Sequence, residues 1–356
     1  MDERSGEIWV LGAAGRIGRA VVERLAGRGC PLVLVGRDAD RLGAVVPSGS
    51  GAKILVTDSV DRMVAEIRRR RPAVVVNTLG GYARTAEPIA RACLPGGHYL
   101  DQGADLDWTA RLFGLHREAV EGGSTLVTGA GFGVLATEAV VAELCDGRPT
   151  PRAVRVDALS SVASEAGLTG EAFAATIVDV LTTGGRAYAG GRLVRTRLGA
   201  HASTLVLPDG ETVRSASAPS AELVAAQRAS GAPDVIATSG LAPTGAVIRA
   251  ALPLAGALLK VPALRRAALS QLAKAPIKAA PMPRAHSWGR AVVTWPDGTV
   301  REGWLRTGDG MDFTADVTTA AALRLLRGDA EPGAHTPTPA FGPGLAAEAG
   351  AAFFLP

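Results

Sequence analysis

Three glycines follow the first apolar run of the chain at close spacing. The run is Ile8 to Leu11, and Gly12, Gly15 and Gly18 come directly after it, where a helical pattern begins. Glycine adopts backbone torsions that other residues avoid and lets the chain approach a ligand without a Cβ in the way. A helix N-terminus adds free N–H groups and a positive dipole. The pattern predicts a pyrophosphate site made by Gly12, Ala14, Gly15, Arg16, Ile17 and Gly18. The alternative is a glycine turn with a purely structural role.

The end of the second apolar run bears on the choice between NADP(H) and NAD(H). An acidic residue at this point usually binds the ribose 2′-hydroxyl and repels a 2′-phosphate. Here the sequence reads Gly36, Arg37 and Asp38. Because Arg37 can pair bidentately with a phosphate, we expect NADP(H) to be preferred. NAD(H) stays an alternative, since Asp38 would take the acidic role if the strand ended one residue later.

Further polar and glycine residues follow the third and fourth apolar runs. Asp58 is placed to reach an adenine or to cap the next helix, and both interpretations stay open. Asn77, Thr78 and Gly80 follow the fourth run, so they should lie at the carboxyl edge of a sheet, beside the ribose and nicotinamide of the cofactor.

The first 128 residues alternate short apolar runs with helical segments, which is typical of a parallel sheet with crossover helices. In the first helix the apolar residues recur at helical spacing, while Arg16, Arg19 and Glu23 face outward. We place six strands at Ile8 to Leu11, Pro31 to Val35, Lys53 to Val56, Ala73 to Asn77, His98 to Asp101 and Thr125 to Val127.

The pattern changes after Gly129. A helical segment at Leu135 to Leu144 leads into strand-like sequence with Pro-Asp-Gly turns at 208–210 and 296–298, which indicates an antiparallel sheet. A helix at Val317 to Leu326 is expected to return to the first domain. The predicted fold class is α/β, with a Rossmann doubly wound parallel sheet and an α+β substrate domain whose sheet is largely antiparallel. The expected domains are 1–128, 129–312 and a C-terminal helix and tail at 313–356.

Cysteine, charge and hydropathy narrow the class of protein. Cys30, Cys93 and Cys145 stand far apart, so neither a disulfide framework nor a zinc site is indicated. The start of the chain lacks an export signal and no apolar run is long enough to span a membrane, which predicts a cytoplasmic protein. No carboxylate occurs between Asp234 and Asp297, yet eight basic residues do. This stretch could meet an acidic carrier protein or a membrane surface, or could be a solvated basic face; no motif indicates nucleic acid.

Residues 74–105 resemble the saccharopine dehydrogenase-like family, in which an NxxGPY element precedes a helix and a HYxD strand. The element here runs from Asn77 to Tyr82, with Gly81 in place of proline. The segment 129–133 is similar to the family's GAGFD but lacks its aspartate, and segments at 183–191, 310–315 and 335–337 are also similar. The resemblance implies a Rossmann domain, a substrate domain inserted before a final helix, and reduction of a C=N, C=O or C=C bond by NADPH.

Few residues need be catalytic in a hydride transfer, because the protein mainly holds the cofactor against its acceptor. Tyr82 is the preferred proton donor or substrate contact, and a packed loop tyrosine is the alternative. Asp101 could orient the substrate, or could be a turn or capping carboxylate. The histidines lack metal-ligand spacing, so no metal is predicted. Neither a Tyr-x-x-x-Lys pair nor a GxSxG elbow is present.

The function predicted from the sequence is therefore an NADPH-dependent reductase of a small-molecule substrate. Two alternatives stay open: a non-catalytic NADP(H)-binding sensor or scaffold, and an enoyl reductase associated with a carrier protein or membrane surface. A homodimer is compatible with each of these three functions.

Overall fold

The computed structural model describes residues 5–356. Residues 1–4, at the start of the chain where no export signal is predicted, lie outside the described residues. The described chain divides into two compact units. The first unit comprises residues up to Gly131 together with Met311–Gly350, and the second comprises Phe132–Gly310 together with Ala351–Pro356. The last six residues therefore differ from the predicted tail, which assigned them to the first domain.

The first part of the chain alternates strands and helices, as the apolar periodicity predicts. The strands are β1 (Ser5–Leu11), β2 (Leu32–Gly36), β3 (Lys53–Val56), β4 (Pro72–Asn77), β5 (His98–Asp101) and β6 (Thr125–Val127). The helices are α1 (Arg16–Ala26), α2 (Ala39–Ala44), α3 (Val60–Arg70), α4 (Tyr82–Cys93), α5 (Leu106–Gly114) and α6 (His116–Glu121).

The second unit begins with a long buried helix and continues mainly in strands. Its helices are α7 (Phe132–Cys145), α8 (Gly170–Thr183), α9 (Ala221–Ser230), α10 (Ala246–Leu258) and α11 (Pro262–Ala273). Its strands in this part of the chain are β7 (Ala153–Leu159), β8 (Gly167–Leu168), β9 (Gly185–Ala189), β10 (Arg192–Thr196), β11 (Ser203–Val206), β12 (Thr212–Ser217), β13 (Asp234–Ser239), β14 (Pro276–Ile277), β15 (Ser287–Thr294) and β16 (Val300–Thr307).

The C-terminal part returns to the first unit before its last strand. It contains α12 (Gly310–Arg327), β17 (Gly333–His335), α13 (Pro337–Phe341), α14 (Gly344–Glu348) and β18 (Ala352–Phe354). β17 pairs in parallel with β6, whereas β18 pairs antiparallel with β16. This last pairing explains why the chain terminus belongs to the second unit.

The parallel sheet of the first unit has the strand order β17-β6-β5-β4-β1-β2-β3. The order reverses between β1 and β4, and in such sheets ligands bind at the carboxyl ends of the strands around the point of reversal. The pairing register aligns Leu11 of β1 with Asn77 of β4, and Asn77 with Asp101 of β5. Three strand ends thus lie in one row. Six strands match the prediction to within a few residues at each end, and β17 was not predicted because its residues, Gly333–His335, do not form an apolar run.

The second unit is built on a sheet with the strand order β10-β9-β13-β7-β15-β16-β18, to which β12 and β11 attach at β13. All its pairings but β13 with β7 are antiparallel, so the predicted fold class is confirmed. Both Pro-Asp-Gly segments make the predicted hairpins, with Gly210 at φ +86° and Gly298 at φ +87°. A third hairpin turns at Gly190 and Gly191, where both φ angles are positive.

The long helix α7 packs tightly on this sheet. Gly289 of β15 lies so close that a Cβ there would overlap the main-chain carbonyl of Ala136 in α7. Trp288 and Trp304 form a buried edge-to-face pair, with ring centroids 6.0 Å apart, in the same sheet. Close packing of helix on sheet therefore depends on a position where only glycine fits.

The variant Gly289→Ala should lower the free energy of unfolding of the second unit by roughly 1–3 kcal/mol, because the added methyl group meets main-chain atoms that cannot rotate away. Urea unfolding followed by tryptophan fluorescence measures the change. Gly308→Ala is the matched control, since a Cβ at that position meets nothing within 4 Å. Equal stability of the two variants would contradict the packing described here.

Candidate functional site

The glycine-rich loop connects β1 to α1 at the point where the strand order reverses. Gly12 has φ +79°, and a Cβ on it would lie 2.9 Å from Oγ1 of Thr78. At Gly18 a Cβ would overlap the carbonyl of Gly12, so helix and loop can approach each other only with glycine there. Gly15 is exposed and is the N-cap of α1, with φ −78°. Two glycines thus shape the loop, while Gly15 leaves the helix N-terminus open to a ligand.

Thr78 joins the loop to the end of β4. Its hydroxyl donates to the carbonyl oxygen of Leu11 at 2.7 Å, and its main-chain N–H donates to the same oxygen at 2.9 Å. Thr78 therefore holds the ends of β1 and β4 together, and its side chain is engaged with protein rather than free to contact a cofactor. The contact of Thr78 with a cofactor ribose stays a prediction.

The end of β2 carries the groups expected to select between the two nicotinamide cofactors. β2 ends at Gly36, one residue later than predicted, and Arg37 and Asp38 are exposed beyond it. The carboxylate of Asp38 accepts the main-chain N–H of Arg41 at 3.0 Å and so caps α2. A capping carboxylate is partly satisfied by the protein, which weakens the alternative that Asp38 serves a ribose hydroxyl.

Arg41 was not predicted, although it lies beside this edge. Its guanidinium donates to the carbonyl oxygen of Ala14 in the glycine-rich loop at 3.2 Å. Arg37 and Arg41 therefore stand at one corner of the site, and Arg41 reaches the loop itself. The signal in the sequence was a second arginine in the short helix that follows Arg37, one turn after Asp38.

Asp58 is exposed just after the end of β3. Capping of the next helix was the alternative interpretation of Asp58, and the neighbouring serine performs that role. The side chain of Ser59 accepts the N–H of Arg62 at 3.3 Å and caps α3. The contact of Asp58 with an adenine stays a prediction.

The loop after β4 is shaped by two glycines in left-handed conformation. Gly80 has φ +73°, and Gly81, with φ +57°, is the N-cap of α4. Proline is fixed near φ −65°, so the proline typical of the resembling motif could not occupy position 81 in this conformation. The departure from the motif thus follows from the local backbone.

Asp101 is the centre of a buried polar network at the carboxyl ends of β4, β5 and β6. It is 0% exposed, and its carboxylate accepts four hydrogen bonds. The donors are the Tyr99 hydroxyl at 2.6 Å, the Trp108 indole N–H at 2.7 Å, the Gly103 main-chain N–H at 2.7 Å and the Thr128 hydroxyl at 2.6 Å. Burial raises the pKa of Asp101, and these donors oppose that effect without cancelling it.

Asn77 extends this network into the loop after β4. It is also 0% exposed; its amide donates to the Tyr99 hydroxyl at 3.0 Å, and its carbonyl oxygen accepts the N–H of Leu79 at 3.1 Å. Asn77 and Asp101 therefore act on the protein itself. The contact geometry favours a positioning role for both side chains over the direct contacts predicted from the sequence.

Tyr82 lies where the loops after β4 and β5 meet. The residue is half-buried, and its hydroxyl lies 3.2 Å from Oε1 of Gln102 and 3.3 Å from the main-chain carbonyl oxygen of Asn77. Burial and the nearby charge of Asp101 raise the pKa of Tyr82 well above its ordinary value. The hydroxyl is therefore a lasting hydrogen-bond donor and not a group that loses its proton near neutral pH.

Gln102 was missed in the sequence, although it directly follows the end of β5. Its amide donates to the Thr318 hydroxyl of α12 at 3.1 Å, and Thr318 donates to the carbonyl oxygen of Ala130 at 3.0 Å. The chain of contacts from Tyr82 through Gln102 and Thr318 to Ala130 ties the loops after β4, β5 and β6 together. The position of Gln102 could have been predicted in the same way as that of Asn77, because polar residues that follow a parallel strand lie at the ligand edge of the sheet.

The segment 129–133 departs from the resembling motif in a way that the second unit explains. Gly133, near the start of α7, has no room for a side chain, because a Cβ there would overlap Oε1 of Glu222 in α9. Glu222 is 8% exposed, and burial raises its pKa. A carboxyl group thus occupies the space beside Gly133, supplied by another helix.

A cavity of about 620 Å³ lies within the second unit. It is lined mainly by apolar strand residues, among them Val194, Ile236 and Val292. Its arginines are paired: Asp157, which is 0% exposed, accepts from Arg155 and from Arg290, both at 2.9 Å. Burial raises the pKa of Asp157, but these two arginines and Thr238 outweigh burial and hold the pKa below its usual value. Both arginines that line the cavity are therefore paired with a carboxylate of the same unit.

Among the described residues, no group of three or more histidine, cysteine, aspartate or glutamate side chains has the arrangement of a metal site. None of the helices in residues 5–356 is long and apolar enough to cross a membrane.

The reversal point in a parallel sheet, with a glycine-rich loop opening a helix there, is that of a dinucleotide-binding oxidoreductase. Residues 8–127 match the family described as "Saccharopine dehydrogenase NADP binding domain". Residues 8–127 are therefore a saccharopine dehydrogenase-like NAD(P)-binding domain, which confirms the resemblance seen in the sequence and indicates an NAD(P)-dependent oxidoreductase.

One solved structure is similar over nearly the whole chain, and others match only part of it. Apo saccharopine dehydrogenase (L-Glu forming) from Saccharomyces cerevisiae is similar over 96% of both chains, with a TM-score of 0.59 and 14% identity. A metagenomic short-chain oxidoreductase in complex with NADP matches 35% of this chain and 81% of its own, with a TM-score of 0.31 and 19% identity. Serine dehydrogenase from Escherichia coli matches 34% of this chain and 80% of its own, with a TM-score of 0.30 and 14% identity. No curated protein matches the sequence.

The variant Gly15→Asp separates a ligand-binding loop from a structural one. Aspartate is a favourable N-cap residue, so α1 should be retained and the midpoint of urea unfolding should fall little or even rise. The added negative charge, however, stands where phosphates would bind, and NADPH affinity measured by calorimetry should fall more than about 100-fold, as close like charges cost several kcal/mol.

Gly344→Asp, at the first residue of α14 in the same unit, is the control, since a Cβ there meets nothing within 4 Å. Unchanged NADPH affinity in the folded Gly15→Asp protein would mean that the loop does not bind phosphates.

Proposed function

We propose that the protein is an NADPH-dependent reductase that transfers hydride to a C=N, C=O or C=C bond of a small-molecule substrate. The observation that carries the proposal is the pair Arg37 and Arg41 beside a glycine-rich loop whose helix N-terminus is open, with Asp38 engaged as a helix cap. A cationic corner at the end of β2 suits a 2′-phosphate, and a free carboxylate would repel it.

The residues of the first unit fit a dinucleotide. Gly12 and Gly18 allow a close main-chain approach, and Gly15 with the first turn of α1 would hold the diphosphate. Arg37 and Arg41 would hold the 2′-phosphate, Asp58 would face the adenine, and Gly80 in the loop after β4 would border the nicotinamide. The bound nucleotide supplies the hydride, and the protein supplies position, exclusion of water and a hydrogen-bond donor.

Tyr82 is the proposed donor to the substrate. A hydroxyl that stays protonated can hydrogen-bond to a carbonyl oxygen or imine nitrogen and stabilise the negative charge that grows there as hydride arrives. Its single proton faces two acceptors, Oε1 of Gln102 and the main-chain carbonyl oxygen of Asn77, and would turn from them to the substrate. Asp101 takes no direct part and is a positioning residue, because its four hydrogen bonds are made to protein groups.

The cofactor preference is tested by removing each arginine. Arg37→Ala and Arg41→Ala should each weaken NADPH binding about tenfold, the value of one lost phosphate contact, and should leave NADH binding unchanged. Isothermal titration calorimetry at one fixed ionic strength measures both nucleotides. Arg117→Ala, on α6 of the same unit, controls for the loss of one positive charge. An equal loss of NADPH and NADH affinity would contradict the assignment to the 2′-phosphate.

The role of Tyr82 is tested in turnover of a substrate found by screening imines, ketones and enones with NADPH. Tyr82→Phe should lower kcat about 100-fold, the usual cost of one donor to a developing charge, with NADPH affinity unchanged. Because its pKa is raised, Tyr82 stays protonated as the pH rises through about 10, where an ordinary tyrosine ionises, so the native rate should show no loss from it there.

Tyr188→Phe, in β9 of the second unit, is the control. A kcat for Tyr82→Phe within about twofold of the native value would remove Tyr82 from the mechanism. Tight NADPH binding without turnover of any compound would instead favour the non-catalytic sensor.

A further inference from the structure

Four large apolar side chains are exposed together where α10 ends and α11 begins. We call them the apolar tip: Leu254 is 67% exposed, Leu258 50%, Val261 47% and Leu264 44%. All twelve residues of α11 are described by the structure, and none of them is buried. A helix normally gains its stability by burying an apolar stripe, so this pair of helices leaves unusual apolar surface in contact with water.

The packing of the two helices on α8 explains why these side chains face outward. Gly256 of α10 lies so close to α8 that a Cβ would overlap the carbonyl oxygen of Leu181. Leu254 and Leu258 stand two positions to either side of Gly256, about 200° around the helix, and so project away from α8. In α11, Arg265 is bonded to Asp179 of α8, which fixes that helix by one face. The apolar tip is thus held out by a defined anchor.

The charge around the apolar tip is positive. Residues 235–296 contain no carboxylate and eight basic residues. The structure divides these eight into two groups. Four donate to groups of the same unit: Arg249 to the carbonyl oxygen of Gly199, Arg265 to Asp179, Arg284 to the carbonyl oxygen of Ser160, and Arg290 to Asp157 and Glu302. The other four are exposed: Lys260, Arg266, Lys274 and Lys278.

Lys260 lies within the apolar tip, between Leu258 and Val261, and Arg266 follows Leu264 in the first turns of α11. Exposed leucines with an exposed lysine and arginine beside them are typical of segments that lie in the interface of an anionic bilayer. The carboxylate of Asp179, on α8, is paired with Arg265. The apolar side chains enter among the lipid headgroups, while a long lysine side chain keeps its ammonium at the phosphate level.

We propose that the apolar tip, together with Lys260 and Arg266, docks the protein on an anionic lipid surface. An acidic carrier protein would use the positive charge but has less need of four exposed aliphatic side chains at one point. The proposal is independent of the reductase function, because it concerns a surface of the second unit.

The test is flotation of the full-length protein with vesicles of phosphatidylcholine, with and without phosphatidylglycerol. The native protein should float with the anionic vesicles and not with the neutral ones, and raising the salt concentration should release it. Lys260→Ser and Arg266→Ser should each weaken binding about fivefold, since one basic residue near an anionic surface contributes about that factor. The double variant Leu258→Ser with Val261→Ser should abolish binding.

Matched controls come from an exposed strand elsewhere in the same unit. Leu193 of β10 is 46% exposed, and Arg192 precedes it, so Leu193→Ser and Arg192→Ser remove the same kinds of group elsewhere. The far-UV circular dichroism spectrum and the midpoint of urea unfolding, measured on each variant, report whether the protein is folded.

Equal flotation with both kinds of vesicle, no flotation with either, or equal loss in test and control variants would overturn the proposal. So would a native dimer that the tip variants convert to a monomer, because the apolar tip would then be covered by a second copy. Salt-sensitive binding to an acidic carrier protein, with no affinity for vesicles, would overturn it in favour of that partner.

Discussion

A fully buried carboxylate at the end of a central strand organises the ligand edge of the first unit. Asp101 accepts four hydrogen bonds, from Tyr99, Gly103, Trp108 and Thr128. An isolated buried carboxylate would be very costly, so these donors must all be in place for the strand to end where it does. Through Tyr99 the same carboxylate is linked to Asn77, and Asn77 fixes the loop that carries Tyr82. One buried charge thereby sets the geometry of several loops.

The glycine-rich loop solves a second problem, that of bringing main-chain N–H groups close to a highly charged ligand. Thr78 holds the end of β4 against Leu11, which leaves no space for a Cβ at Gly12. These contacts position the loop at Gly12 without a ligand, which lowers the entropic cost of ordering it on binding. The cationic pair Arg37 and Arg41 lies beside this loop, after the end of β2, where exposed side chains can adapt to a phosphate.

Much of this arrangement follows from local sequence patterns. Apolar runs predicted β3, β5 and β6 with their observed ends, and the glycines after β1 predicted the helix that follows. Contacts between residues distant in the chain were not predictable in this way. The pairing of β17 with β6 joins Gly333 to Thr125, and the bond from Arg41 to Ala14 crosses 27 positions. Neither leaves a periodic signal in the sequence.

The predicted site residues divide in the same manner. The residue type and spacing of the glycines were enough to predict a loop with unusual backbone torsions, and Gly12 has the positive φ that such a loop requires. The polar residues Asn77, Thr78 and Asp101 were placed correctly at the strand ends, but their side chains contact protein groups. Whether a polar side chain faces a ligand or its neighbours depends on which donors the fold brings beside it, such as Trp108 and Thr128 at Asp101. The position of Glu222 beside Gly133 likewise arises from helix packing in the second unit.

The most direct test of the central claim is a crystal structure of the protein with NADP⁺ bound. The account predicts the diphosphate against the main-chain N–H groups at Gly15 and the first turn of α1, and the 2′-phosphate within hydrogen-bond distance of Arg37 or Arg41. A nucleotide bound elsewhere, or one whose 2′-phosphate points into solvent away from both arginines while Asp38 bonds the ribose, would contradict it.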